Sequence, residues 1–170
     1  MEKNQLEKYY EVLTNASPDC IKLMDLEGNL VYINKGGMEE HGLTSLEDAI
    51  KNKWRAVDTV VPEDKMRFAQ AMQDALNGKI STIELTHLSD QSNRGVCLET
   101  VAPVKDDAGK VIGIFGVSRD ITSMKAGEQK LQGKIAELEE MNKIMVEREL
   151  KMIELKAEIK KLKEKETKLI

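Results

Sequence analysis

The side chains best suited to chemistry in this 170-residue chain are its two cysteines, Cys20 and Cys97, and its two histidines, His41 and His87. Thiolates and imidazoles ligate metals, exchange disulfides and act as nucleophiles, but only in particular arrangements. Two cysteines so far apart form no metal or redox motif, and both are expected to be free thiols, with a Cys20–Cys97 disulfide as the alternative. No metal site is expected. Neither histidine stands beside a nucleophile at a spacing that suggests catalysis, and an isolated histidine is more often hydrogen-bonded or solvated. There is no Gly-rich nucleotide loop, so no enzyme is expected here.

Those residues must be held by local elements, and the punctuation of the chain predicts them. Leu6, Tyr9, Tyr10 and Leu13 recur at helical spacing, with Glu7 and Glu11 between them, and Ala16-Ser17-Pro18-Asp19 ends that helix. Cys20 to Asp25 and Leu30 to Asn34 read as strands joined by Glu27-Gly28-Asn29. Lys35-Gly36-Gly37 breaks the second strand. Thr44-Ser45-Leu46-Glu47 is a capping box that opens a short helix. After a break at Asp58 to Pro62, Glu63 to Leu76 is a helix with Met66, Ala69, Met72 and Leu76 on one face, closed by Asn77-Gly78. Ile80 to Leu88, Val96 to Lys105 and Lys110 to Arg119 are strands. Ser89-Asp90-Gln91-Ser92-Asn93 and Asp106-Asp107-Ala108-Gly109 are the turns between them. This order predicts an α+β fold, a five-stranded antiparallel sheet with helices over one face.

From Ile121 onward there is no proline. Apolar residues at Leu131, Ile135, Leu138, Met145, Met152, Leu155, Ile159 and Leu162 stand among Lys and Glu, a coiled-coil pattern. A continuous helix here is about 70 Å long. A helix so long and so polar-sided is expected to project and pair. Leu131, Ile135 and Leu138 set one heptad frame, and Leu155, Ile159, Leu162 and Leu169 set another. The frames meet between Met141 and Met152, where Asn142, Arg148 and Glu149 fall at or near the seam. Such a discontinuity over- or underwinds a coil locally; an ordinary imperfect coil is the plainer reading.

Several segments, in this order, resemble a PAS domain. They are Ser17-Pro18-Asp19, Asp25-Leu26-Glu27-Gly28-Asn29-Leu30-Val31-Tyr32-Ile33-Asn34, Val61-Pro62-Glu63-Asp64, Pro103-Val104, Asp107-Ala108-Gly109-Lys110-Val111-Ile112-Gly113 and Gly116-Val117-Ser118-Arg119-Asp120-Ile121-Thr122. The resemblance covers about 17–122, so that 1–16 is an N-terminal amphipathic helix and 123–170 a coiled-coil helix. It implies a sensory module like the input part of a bacterial PAS histidine kinase of a two-component system. In that reading Asp120, Ile121 and Thr122 relay a change in the core to the long helix, and Asp120 or Thr122 caps it. The N-terminal helix is implied to pack on the sheet or at a dimer interface.

The resemblance also frames what the chain lacks. No histidine lies on the long helix to accept a phosphoryl group, and there is no room for an ATP-binding domain. Haem-binding relatives carry a histidine on or near the main helix, which has none here; His41 is the better-placed axial candidate. Neither cysteine stands in the Asn-Cys-Arg-Phe context of flavin-adduct relatives, and covalent haem attachment has no Cys-x-x-Cys-His. Neither haem nor flavin is therefore expected. A pocket in this fold lies between sheet and helices, with Ile33, Met38, Trp54, Val57, Phe68, Met72, Leu85, Leu98, Phe115 and Val117 as candidates. They would receive an unidentified small molecule or simply fill the core. No convergence of polar groups is read there, so a charged ligand is not suggested.

Hydrophobic residues make up 41% and charged residues 33% of the chain, which favours a folded domain with a highly charged extension. The net charge of −4 gives no basic surface for nucleic acid. No apolar run approaches the roughly 20 residues of a membrane span, and a cytoplasmic protein is expected. The expected function is a sensory, signal-transducing homodimer held by a parallel coiled coil and acting on a downstream protein. A passive dimerisation scaffold without a ligand is the alternative.

Overall fold

The turn glycines set the frame of the sheet. Gly28, Gly78 and Gly109 all adopt φ of about +80°, a conformation costly for other residues. The computed structural model describes residues 3–88 and 94–167. The turn read at Ser89–Asn93 and the seam residue Leu169 lie outside the described residues. In chain order the elements are α1 (Lys3–Asn15), β1 (Cys20–Met24), β2 (Leu30–Ile33), α2 (Lys35–Glu40), α3 (Leu46–Lys51), α4 (Ala56–Thr59), α5 (Lys65–Leu76), β3 (Ser81–Leu88), β4 (Arg94–Lys105), β5 (Val111–Asp120) and α6 (Thr122–Thr167). The strands form one antiparallel five-stranded sheet in the order β2-β1-β5-β4-β3. Contacts divide the chain into residues 1–123 and 124–170.

Two local devices differ from the sequence reading. The capping serine is Ser45 rather than Thr44: its Oγ accepts the Asp48 N–H at 3.1 Å, and Thr44 donates to the Asp48 carboxylate instead. Lys35-Gly36-Gly37 does more than end β2, because it opens α2. The glycines serve close approach there. A Cβ on Gly36 would lie 2.8 Å from the Ser17 and Pro18 carbonyl oxygens, and one on Gly37 would lie 2.7 Å from Cys20 Sγ.

Asn34 organises this corner. Its Oδ1 accepts the N–H groups of Ile21 and Gly37, and its Nδ2 donates to the carbonyls of Thr14, Ser17 and Asp19. It is fully buried. A buried amide is tolerated only when so satisfied, and this one ties the end of α1, the start of β1 and the start of α2 together.

The main core lies between the sheet and α4–α5. It contains Met24, Phe68, Ala71, Ala75, Leu85, Val101 and Ile114. A second cluster of Cys20, Leu30, Ile33 and Ala49 sits under α2 and α3, with Trp54 reaching both. Among the described residues, no helix is long and apolar enough to cross a membrane. The 46 residues of α6 carry Leu131, Ile135, Leu138, Met145, Met152, Leu155, Ile159 and Leu162, all exposed in the single chain.

Candidate functional site

Alternation along the strands decides which residues face the helices. Cys20, Lys22 and Met24 of β1 point inward with Leu85 and His87 of β3. Cys97, Glu99 and Val101 of β4 join them, as do Ile114, Gly116 and Ser118 of β5. The inner face is therefore split. Met24, Leu85, Val101 and Ile114 make one half apolar. Lys22, His87, Glu99 and Ser118 make the other half polar, although each is buried.

An open apolar hollow of about 220 Å³ lies over the first half, lined by Met24, Val57, Phe68, Met72, Leu76 and Ile114, with Arg55 also among its lining residues. A much smaller cavity of about 10 Å³ lies over the second half, with Lys22, His41, His87, Glu99 and Ser118 in its wall. Ala56 and Phe68 line both.

The polar half is built from ion pairs. Lys22 Nζ donates to Glu99 Oε2 at 2.9 Å, both side chains being 3% exposed. Gly116 makes room for them, because a Cβ there would stand 3.0 Å from Glu99 Oε1 and from Lys22 Cε. Burial pulls the Lys22 ammonium down, but the adjacent Glu99 carboxylate, with Cys20 and Cys97 adding to it, holds the group above its ordinary range. His87 Nε2 lies 2.8 Å from Glu40 Oε1. The Cys97 sulfur and then the Glu40 carboxylate push His87 up, to about 10, against the opposing effect of burial. Burial raises the Glu40 carboxyl, and the neighbouring His87, with His41 and Lys22 adding to it, together bring it below its ordinary range. Two basic groups, Lys22 and His87, are thus each paired with a carboxyl, Glu99 and Glu40, inside the domain, and pairing is what makes such burial tolerable. Glu99 Oε1 and His87 Nδ1 are buried without a hydrogen-bond partner.

A third grouping lies beside the second. Cys20 Sγ is 3.9 Å from His41 Nε2, and the donor atoms of Cys20, Glu40 and His41 all lie within 4.8 Å of one another. The His41 ring leans on Trp54 at a centroid distance of 5.1 Å. Burial pushes the Cys20 thiol up to about 11. Both cysteines are free, Cys20 wholly buried and Cys97 nearly so.

The sequence-named pocket residues separate into four places. Val57, Phe68 and Met72 line the apolar hollow, and Leu85 with Phe68 lines the polar cavity. Ile33, Met38 and Trp54 belong to the cluster under α2 and α3. Leu98, Phe115 and Val117 lie on the opposite face of the sheet, away from any inner pocket. Leu98 and Phe115 are over a third exposed, and Phe115 lines a groove with Tyr10 and Thr14 of α1 and with Ile21, Leu23 and Tyr32. Their assignment to the inner pocket is corrected by a one-residue shift of face. The inner positions of those strands hold Glu99, Gly116 and Ser118, whose polarity imitates a solvent face. The expectation that no polar groups converge in the core is corrected for the same reason.

At the end of β5 the chain turns into α6. Asp120 Oδ1 accepts the Thr122 N–H at 2.7 Å, the Ile121 N–H donates to the Val96 carbonyl at 2.8 Å, and Thr122 Oγ1 accepts the Val96 N–H at 2.8 Å. Ile121 is buried. Gly95, paired with His87 across β3 and β4, is wedged between the two regions. A Cβ there would lie 3.0 Å from His87 Cε1 and 3.2 Å from Thr122 Oγ1.

A family model described as the PAS fold matches residues 14–126. A PAS domain from Colwellia psychrerythraea superposes with a TM-score of 0.60 at 24% identity, covering 69% of this chain and 98% of that one. A domain of a sensory box sensor histidine kinase/response regulator from Geobacter sulfurreducens gives 0.55 at 18% identity, covering 70% and 97%. The VqmA dimer of Vibrio cholerae, described as a LuxR-type receptor with a target DNA, gives 0.55 at 20% identity, covering 73% of this chain and 53% of that one. No curated protein matches the chain.

Proposed function

The chain belongs to the PAS-fold family, and from that premise we propose that it is a sensory signal-transduction module which pairs with a second copy through a parallel coiled coil of α6. The fold itself supports a sensor or signalling role. The observation that carries this proposal is the close packing at Gly95, where an added Cβ would stand 3.0 Å from His87 Cε1 and 3.2 Å from Thr122 Oγ1, beside the Val96 N–H that Thr122 Oγ1 accepts. It joins the polar core to the first residue of the long helix without any intervening loop.

In this reading the input is a small molecule that enters the hollow beside Phe68 and Met72. Phe68 also bounds the cavity that holds His87, so a ligand that moves Phe68 alters the packing around that imidazole. A movement of His87 displaces Gly95, its partner across β3 and β4, and with it Val96, which Thr122 holds, so the start of α6 turns or shifts. Paired helices then convert the movement into a change of packing.

The sequence of α6 suits two packings. Leu131, Leu138, Met145, Met152 and Ile159 recur every seven residues and serve as a common column. Its apolar neighbour is Ile135, four residues after Leu131, in the first half. In the second half the neighbours are Leu155 and Leu162, three residues after Met152 and Ile159. Between them stand Asn142, Arg148 and Glu149. The two frames compete in the middle of the coil, and a few kcal/mol is enough to choose between such states. The exposed apolar residues of α6 in a single chain are what a second copy would cover. A cytoplasmic setting and a downstream signalling protein as receiver belong to the same proposal.

Sedimentation equilibrium of the purified chain at micromolar concentration tests the pairing. A mass twice 19.1 kDa is expected, and a monomer contradicts it. Thermal unfolding across a metabolite panel tests the input. A ligand present at 100 times its dissociation constant stabilises the fold by about 2.7 kcal/mol. A dimer that no ligand stabilises is the passive scaffold instead.

A further inference from the structure

We propose that Cys20, Glu40 and His41 form a binding site for a single divalent transition-metal ion of the zinc type. The inference goes beyond the signalling reading and stands or falls separately from it. The three donors are a thiol, a carboxylate and an imidazole, brought within 4.8 Å of one another by β1 and the end of α2. Sulfur and imidazole nitrogen select zinc and its neighbours over magnesium or calcium, which prefer oxygen.

The dimensions fit. A tetrahedral ion with bonds of about 2.3 Å to sulfur and about 2.0 Å to nitrogen holds those donors about 3.5 Å apart. Cys20 Sγ and His41 Nε2 stand at 3.9 Å, so a closure of a few tenths of an ångström completes the geometry. The charges fit as well. A Cys20 thiolate and the Glu40 carboxylate offset a divalent cation, with Glu40 then shared between the ion and His87.

The donors are also held in place. Glu40 Oε1 is ion-paired with His87 Nε2 at 2.8 Å, and the His41 ring rests on Trp54. Partners of this kind fix ligand orientation and strengthen metal sites. Gly37 permits the approach of α2 to Cys20, since a Cβ there would stand 2.7 Å from the sulfur. The Glu40 side chain is 18% exposed, which gives an ion a route from solvent. Three protein donors leave a fourth position for water or a small ligand.

The test is titration of the reduced, metal-stripped full chain with Co²⁺, followed by Zn²⁺ competition. One equivalent of Co²⁺ is expected to bind with a thiolate-to-cobalt charge-transfer band and tetrahedral visible bands, and Zn²⁺ is expected to abolish both. Cys20→Ser should lose the charge-transfer band. His41→Gln and Glu40→Gln should each weaken Co²⁺ binding at least tenfold, and Cys97→Ala should leave the spectrum unchanged. Should Cys20→Ser not fold, His41→Gln at its half-buried position carries the same test. A wild-type chain without saturable one-to-one uptake overturns the proposal. So does a band that survives Cys20→Ser or disappears in Cys97→Ala.

Discussion

Thr122 Oγ1 accepts the backbone N–H of Val96 at 2.8 Å, so the first residue of α6 closes a hydrogen bond near the start of β4, just past its ladder with β5. Ile121 reinforces it by donating to the Val96 carbonyl. The start of the long helix is therefore part of the sheet's own bonding.

Thr122→Val keeps the shape of the side chain and removes the acceptor. The Val96 N–H then loses its partner, a loss worth about 1–3 kcal/mol when water cannot replace it. Thermal unfolding should show a lower midpoint for Thr122→Val and a midpoint near wild type for Thr122→Ser. Equal midpoints for both variants would show that the bond contributes nothing.

Gly95→Ala inserts a methyl group 3.0 Å from His87 Cε1 and 3.2 Å from Thr122 Oγ1. Both neighbours must yield, at a cost of about 1–3 kcal/mol. Amide hydrogen exchange should report faster exchange at Val96 and in the first turn of α6, with α5 unaffected. Uniform loss of protection across the sheet would mean simple destabilisation instead of a specific path.

Lys22→Ala or Glu99→Ala leaves one charge buried and unpaired, which costs about 3–5 kcal/mol. The double replacement Lys22→Met with Glu99→Leu removes both charges and should recover most of that loss. Urea denaturation of the three variants measures the difference. Additive losses in the double variant would count against the pair as a coupled unit.

Asp120 supplies the pH dependence of the junction. The Thr122 side-chain hydrogen bond lowers its carboxyl pKa, partial burial opposes this, and the Thr122 N–H and the His87 charge lower it further. A folded pKa below the unfolded one means that the carboxylate stabilises the fold above the ordinary carboxylate range. That stability fades as pH falls through the folded value. Asp120→Asn should flatten the acid limb of the stability profile and leave the neutral region parallel to wild type. An unchanged acid limb would remove Asp120 from the account.

The sheet and its order of elements were legible because turns at Gly28, Gly78 and Gly109 interrupt clean alternation. The inner face was not. Buried Lys22, Glu99, His87 and Ser118 occupy positions that sequence pattern assigns to solvent, and apolar Phe115, Val117 and Leu98 occupy the outer face. Ion pairs formed between residues far apart in the chain remove the cost of that burial, and no local pattern records them. The Cys20–Glu40–His41 grouping escaped for a related reason. Two donors are adjacent in sequence, the third is on another element, and only the docking of α2 through Gly37 unites them.

The central claim is that two copies pair in parallel along α6, and dipolar electron spin resonance tests it most directly. Each experiment uses one nitroxide per chain, at Glu137→Cys or at Glu158→Cys, because both native cysteines are buried and shielded from the label. A parallel coil brings like labels together at both sites, so two short and narrow distance distributions are expected. The absence of dipolar coupling at both sites would contradict pairing, and long distances at both would contradict a parallel arrangement.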